Sequence, residues 1–460
     1  MLLCAVTGGA ILAPPMPKSS SPLRLLLLFQ GMWEEECVAA LRGSHDVVLE
    51  REGFDTMHWR GLARMATFDA RRWVDRMVAR YRGRIDAVWS NDDQFGCLAA
   101  AMIARRLGLP GADPHAVFLA QDKWRMRGKL CEMREHSVNF APVARDRRWR
   151  DPDWIDRFIA HYGLSWPLFC KPVKASFSVL AARVGSAREL IEHLRLPWFD
   201  RVLLRAFNKP FARLAEAFAP SMPYGMLLEE PLRGQQINVD GYAVRDQVHV
   251  LGLVDECMDP GEVKGARHFA GFTYPSRLPA AVQQRVTAVA TAAVRAIGYD
   301  HGLFNVELFV TDEGAVKVIE INPRGAGQFA SLYRAAAGID VQQLAIRLAA
   351  GWSVDPLPRV EPTGRVAASF VFRRFDGRPG VEPDAAARDW LAATFPAARL
   401  WCEPCSPAAL RREYRWLGSH RYAVLNHVAE DFDTLFAEGE RCAQRLFGVA
   451  MPAGVREGAG

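Results

Sequence analysis

Asn305-Val306-Glu307-Leu308 and Val318-Ile319-Glu320-Ile321-Asn322-Pro323-Arg324 are two short runs of alternating polar and apolar residues, with Glu313-Gly314 between them. A period of two is the signature of a strand, and a dipeptide ending in glycine is a common hairpin turn. A turn centred on that dipeptide pairs Glu307 with Glu320 and Asn305 with Asn322. Val306, Leu308, Ile319 and Ile321 then form the apolar face. Carboxylates directly across a strand pair repel unless something positive lies between them. Three hard oxygen ligands, Glu307, Glu320 and Asn322, suit Mg²⁺, which takes a couple of carboxylates together with substrate phosphates. The plainer reading is a hairpin whose charged face is solvated; the uniformity of the polar set argues for the metal.

Working outward, Pro279–Ile297 reads as a helix, and Asn238–Val244 and Gln247–Val254 read as strands around Arg245-Asp246. Glu256–Pro275 is rich in glycine and reads as a long irregular loop, either functional or disordered. Further upstream, Lys123 opens a helix and Lys171 ends an apolar strand beside Pro172. Each is placed to meet a phosphate as a point charge. Leu227-Leu228-Glu229-Glu230-Pro231-Leu232 resembles a hinge strand with free backbone groups. Pro231 has no N–H, so a purine lying there would find its donor at Leu232.

At the N-terminal end, Leu23–Phe29, Asp46–Leu49 and Asp86–Trp89 read as strands, with helices at Glu34–Leu41 and Phe95–Leu107. Strands alternating with helices imply a small doubly wound α/β domain. Asn91, Asp92 and Asp93 follow the third strand, where such sheets bind ligands; Asp92 or Asp93 capping the next helix is equally consistent. Past Asp355 the prolines thicken, and a strand (Val366–Phe372) with two helices (Asp384–Phe395, Phe432–Leu446) suggests a small α+β unit. The expected divisions are an extension over 1–22, the α/β domain over 23–118, a central domain over 119–355 and the α+β unit over 356–460.

With 460 residues, 50% hydrophobic and 24% charged, the chain is long enough for two or three domains and has an ordinary globular composition. A net charge of +6, from 58 basic and 52 acidic residues, does not mark a nucleic-acid binder, and no aromatic–basic stripe supports one. Met1–Pro15 is too short and too glycine-rich to span a membrane and lacks a secretory signal's basic start. Nine scattered cysteines point to reduced thiols and a cytoplasmic protein. Cys402 and Cys405 form the one CxxC, read as a chance pair in a Pro-rich loop.

Lys123 in the QDK helix start, Lys171 in FCKP, the EExL hinge followed by Gly234, and ELF…EINPR, in this order, resemble the ATP-grasp superfamily. The resemblance spans about Asp86 to Gly351 and is closest to the carboxylate–amine ligases, with biotin carboxylase as a relative. It implies an ATP-grasp fold, with an N-terminal α/β (pre-ATP-grasp) domain and a small C-terminal α+β domain. It also implies ATP and Mg²⁺ (or Mn²⁺) as cofactors, small-molecule carboxylate and amine substrates, and a homodimer as one assembly. Residue by residue, it places Lys123 and Lys171 on the ATP phosphates, and Glu229 with the backbone of Glu230 and Leu232 on adenine. Glu307, Glu320 and Asn322 fall on Mg²⁺, and Arg324 on the transferred phosphoryl group or the intermediate. Two departures stand out. Gln236 occupies the position where an acidic residue holds the ribose, losing its charge assistance. The phosphate-covering loop reads Lys174-Ala175-Ser176-Phe177-Ser178, with Ser176 and Ser178 as donors and no glycine.

The implied reaction is ADP-forming activation of a carboxylate as an acyl phosphate, then amide formation with an amine. Lys264, Arg267 and His268 are candidate carboxylate binders, with Phe269, Phe272 and Tyr274 as an apolar wall. The alternatives are carboxylation of the biotin type, which needs a separate carrier because no Met-Lys-Met signature occurs, and a non-catalytic ATP-binding regulator.

Overall fold

The computed structural model describes residues 21–457, apart from 43–44, 57–63, 144–146, 176–178, 223, 264–265 and 404. Met1–Pro15 and most of the expected extension therefore lie outside the described residues. Strand β1 (Leu23–Leu28) is buried except at Arg24, as its leucines require of a central parallel strand. It lies between β2 (Val47–Glu52) and β3 (Ala87–Trp89), both parallel to it. Arg24, the one basic residue in the run, bonds Asp86 at 2.6 Å. After β3, Asp92 accepts from the N–H groups of Phe95 (3.0 Å) and Gly96 (2.7 Å) and so caps the helix Gly96–Leu107.

Four strands, β4 (Phe140–Val143), β5 (Leu168–Pro172), β6 (Ala182–Val184) and β7 (Met226–Glu229), form an antiparallel sheet in the order β4-β7-β5-β6. The helices Pro152–His161 and Ala187–Leu194 cover it with Ile155, Ile159 and Leu190. The remaining strands are β8 (Gly234–Val244), β9 (Gln247–Val263), β10 (Ala266–Tyr274), β11 (Gly302–Thr311), β12 (Val316–Asn322), β13 (Val366–Arg374), β14 (Arg399–Cys402) and β15 (His420–Ala429). They make one antiparallel sheet in the order β12-β11-β8-β9-β10-β13-β15-β14.

Two readings of the sequence change here. Glu256–Pro275 is not an irregular loop: most of it belongs to the β9–β10 hairpin. Gly271 serves close approach rather than irregularity, since a Cβ there would lie 2.5 Å from the Ser369 carbonyl on β13. The segment after Asp355 likewise does not stand apart as a sheet of its own. Its strands continue the central one, with Gly271 opposite Phe370 and Tyr274 opposite Ala367.

The β11–β12 hairpin keeps its expected inner register, Asn305 opposite Asn322 and Glu307 opposite Glu320. It reaches that register by another route. The Thr311 N–H bonds the Ala315 carbonyl (2.8 Å), and Gly314 takes φ 81°, so three residues turn the chain rather than two. A bulge at Ile319 then removes the extra residue, because Leu308 pairs with Val318 while Glu307 still pairs with Glu320. Val318, not Ile319, consequently joins Val306, Leu308 and Ile321 in the core. That same buried cluster contains Leu26, Val88, Phe95 and Leu98, so the N-terminal sheet and the hairpin share one core.

Candidate active site

Between these walls runs a cleft of about 1200 Å³, roomier than the ~300–1,000 Å³ of most small-molecule pockets. Alternation on β11 and β12 turns Asn305, Glu307, Glu320 and Asn322 into it, and all four line it. Asn322 Nδ2 donates to Asn305 Oδ1 (3.1 Å) and Glu307 Oε1 (3.3 Å). Asn305 donates to Asn238 Oδ1 (3.2 Å), and Asn238 to Glu256 Oε2 (3.0 Å). An amide ladder thus crosses four neighbouring strands and delivers a further carboxylate, Glu256, that the hairpin pattern did not reveal. The same alternation in Asn238-Val239-Asp240 carried the signal for Asn238. Glu256 fell within the stretch read as a loop.

Burial, reinforced by the charge of Glu320, pushes the Glu307 carboxyl up to about 7. Burial and then Glu307 push Glu256 up to about 8. Buried carboxyls held this far above their ordinary range are short of positive charge. The donor set of Glu307, Glu320 and Asn322, all hard oxygens on two adjacent strands, fits Mg²⁺.

Four cations gather at this wall. Lys123, on the first turn of the helix Lys123–Leu130, donates to Glu320 Oε1 (2.7 Å) and to the Ala175 carbonyl (2.9 Å). Burial opposes its charge, but Glu320 holds its pKa above the ordinary lysine value. Lys171 lies next to last in β5, and Lys174, which the sequence reading quotes in the phosphate-covering loop without a role of its own, follows two residues after that strand. Burial depresses the pKa of both. Lys174 donates to the Asp93 carbonyl at 2.8 Å. Arg324 is half-buried; desolvation opposes its charge, yet Asp93, Glu307 and Glu320 keep its guanidinium firmly charged.

Glu229 departs most from its expected role. Its carboxylate is clasped by Lys171 Nζ (2.8 Å) and Arg127 Nε (2.7 Å). Burial works against its charge, but those two cations hold it down at about 2. Arg127 also donates to the Val318 (2.6 Å) and Ile319 (3.0 Å) carbonyls, tying the small sheet to the hairpin. It was not singled out in the sequence because its partners are about 100 and 190 positions away. Glu230 bonds Asn139 through its N–H (3.2 Å) and its carboxylate (3.1 Å), while Pro231, Leu232 and Arg233 line the cleft outside the sheets. Gln236 donates to Glu307 Oε2 at 3.2 Å, beside the acidic pair.

On β10, Arg267, Phe269 and Phe272 line the cleft. His268 does not. It packs on the Phe375 ring, and burial, with Arg373 nearby, pushes its pKa down to about 4. Neighbours on a strand point to opposite faces, so Arg267 and His268 cannot share a substrate wall. Tyr274 packs on Tyr333 in the core rather than on the cleft. Ser176, Ser178 and Lys264 lie outside the described residues. Cys405 is grouped with Glu413 and His420, while Cys402 instead takes a hydrogen bond from Arg388 (3.5 Å). Among the described residues no helix is long and apolar enough to cross a membrane.

Residues 164–332 match the family model of the ATP-grasp domain. Over 292 residues, 62% of this chain and 29% of the relative, it is 33% identical to carnosine synthase 1 of Gallus gallus. Over 235 residues, 49% of this chain and 59% of the relative, it is 28% identical to the vancomycin C-type resistance protein VanC1 of Enterococcus gallinarum. The chain thus spans less than two thirds of the length of these curated relatives. The L-amino acid ligase of Bacillus licheniformis shares the fold over 93% of this chain and 98% of its own, with a TM-score of 0.68 and 17% identity.

Proposed function

We propose that the chain, whose residues 164–332 match the ATP-grasp domain, is an ADP-forming carboxylate–amine ligase acting on small, amino-acid-like substrates. The observation that carries the proposal is the meeting, inside one cleft, of an acid–amide wall with a set of buried and half-buried cations. The wall is Glu307, Glu320 and Asn322; the cations are Lys123, Lys171 and Arg324. The similarity to carnosine synthase and to an L-amino acid ligase supports the same reading.

A substrate carboxylate oxygen attacks the γ-phosphorus of ATP and ADP leaves, giving an acyl phosphate. The amine nitrogen then attacks the acyl carbon, phosphate departs, and the amine loses its proton. Such transfers need positioning and charge neutralisation more than covalent help from the protein. Glu307, Glu320 and Asn322 would hold Mg²⁺, which supplies charge neutralisation on the phosphates. Lys123 and Lys171 bind phosphate oxygens, and Arg324 steadies the charge on the transferred group. Adenine meets the backbone of Glu230 and Leu232. The Glu229 carboxylate orients Lys171 instead of touching the base.

The test is ADP release from Mg·ATP across carboxylates and amines, offered singly and in pairs, with bicarbonate included. ADP that forms only with a carboxylate–amine pair, together with an amide product, is the expected result. ADP with bicarbonate alone would replace ligation with carboxylation, and ATP binding without turnover under any pairing would replace it with nucleotide sensing.

A further inference from the structure

By origin along the chain the charges lining the cleft are segregated, although Asp93 also faces Arg324 and Lys174. Every charged residue contributed by the N-terminal α/β segment is acidic: Glu34, Asp55, Asp92 and Asp93. Every basic lining residue lies at Lys123 or beyond. Glu34 is only 6% exposed, accepting from the Gly31 N–H (2.9 Å) and from Asn91 Nδ2 (3.1 Å). Asp92 accepts from the helix cap and from the Thr56 hydroxyl. Each carboxylate has about four lone-pair sites, so these contacts leave acceptor capacity.

A second feature of the same wall is independent of its charge. Gln94 lines the cleft and is 1% exposed. Its amide nitrogen is committed to the Phe207 carbonyl (3.3 Å) and Asn208 Oδ1 (3.2 Å), which fixes its orientation. Its Oε1, buried, has no hydrogen-bond partner. A buried, unpartnered acceptor beside four acids calls for a donor. Trp33 adds an aromatic face at the same end, held edge-on by Trp401 at 4.8 Å. The acids are too dispersed for one metal ion. Among the described residues the group of three His, Cys, Asp or Glu with ligand atoms within 4.8 Å of one another is Cys405, Glu413 and His420, far along the chain.

We infer that the N-terminal wall is a subsite for an organic cation, so that the amine-donating substrate carries a positive side chain in addition to its reacting nitrogen. The inference rests on the ligase reading, to which it adds a substrate class. Acceptors and an aromatic face spread over several residues match a guanidinium or alkylammonium group. The basic surfaces across the cleft are left for phosphates and the activated carboxylate.

The test is calorimetric titration of the full chain, with Mg·ADP present, using two matched pairs: L-arginine against L-citrulline and L-lysine against L-norleucine. In at least one pair the cation binds about tenfold or more tightly than its neutral partner, as desolvated charge pairs do. That advantage shrinks in both Asp55→Asn and Glu34→Gln. Equal binding within both pairs, or an advantage unchanged in both variants, overturns the subsite. ADP release with the same compounds separates the two proposals. Turnover without a cation preference removes the subsite and keeps the ligase. Preferential cation binding with no turnover under any pairing keeps the subsite and removes the ligase.

Discussion

Replacing Glu229 with glutamine tests whether this carboxylate serves the base or the protein's own cations. In the structure it is 4% exposed and bonded to Arg127 and Lys171. Its pKa falls from 4.5 to about 2, a displacement equivalent to about 3 kcal/mol of preference for the charged form in the folded state. Removing one partner from a buried ion pair costs ~3–5 kcal/mol, because the other charge is left uncompensated. Glutamine keeps the volume but turns an amide donor toward one of two cations. Lys171 is itself depressed by burial despite Glu229, so part of the gain is spent on desolvating the lysine. The expected loss therefore lies near the lower limit, about 3 kcal/mol. Urea unfolding without nucleotide, followed by tryptophan fluorescence at neutral pH, reads it as a shift in midpoint at unchanged slope.

The pH dependence supplies a second reading. A depressed carboxyl contributes stability above its unfolded value, and that contribution is lost as pH falls through the folded one. The wild-type advantage over Glu229→Gln should therefore be complete above about pH 4.5 and shrink progressively toward pH 2. Mg·ATP should restore more stability to the variant than to the wild type, since the phosphates give the freed cations new counter-charges. A variant whose nucleotide-free stability stays within about 0.5 kcal/mol of wild type, while ATP affinity drops, would refute this reasoning and return the carboxylate to adenine.

Lys171→Ala should raise the KM for ATP about tenfold to a hundredfold, the loss of a charged hydrogen bond to phosphate; an unchanged KM in steady-state assays would move the phosphate site elsewhere. Glu320→Gln should lower ADP formation by about a hundredfold or more while circular dichroism shows the fold intact, and Mn²⁺ binding followed by electron paramagnetic resonance should weaken in parallel. Unaltered turnover would remove Glu320 from the metal set. Gln236→Glu places a carboxylate where an amide now donates to Glu307 at 3.2 Å. The melting temperature without metal should fall and recover steeply with added Mg²⁺. Identical melting curves at all Mg²⁺ levels would show that position 236 faces away from the acidic pair.

What the sequence reveals well is whatever one segment specifies alone. The leucine run of β1, the alternation of β11 and β12 and the cluster of motifs from Lys123 to Arg324 each carry their meaning over a few residues. The glycine-rich stretch at 256–275 was misread because a glycine that permits close strand approach looks, in sequence, like one that breaks a strand. Gly271 beneath the Ser369 carbonyl belongs to the first kind. That misreading also hid Glu256 and allowed Arg267 and His268 to be assigned together, although strand geometry sends them to opposite faces.

The hairpin shows how a register can be right for an incomplete reason. The turn was counted one residue too short, yet the carboxylates still meet, because the bulge at Ile319 absorbs the difference before the chain reaches Glu320. Alternation alone could not locate that bulge; only its consequence is visible, Val318 in the core and Ile319 on the cleft. The ion pairs lie a step further from view. Lys123 meets Glu320 across 197 positions and Arg127 meets Glu229 across 102. No local pattern announces such partners, and Lys123 and Arg127, taken singly, look like ordinary helical cations. The hairpin's acids mark where positive charge is needed, but which cations answer them is settled only when the small sheet folds down over the large one.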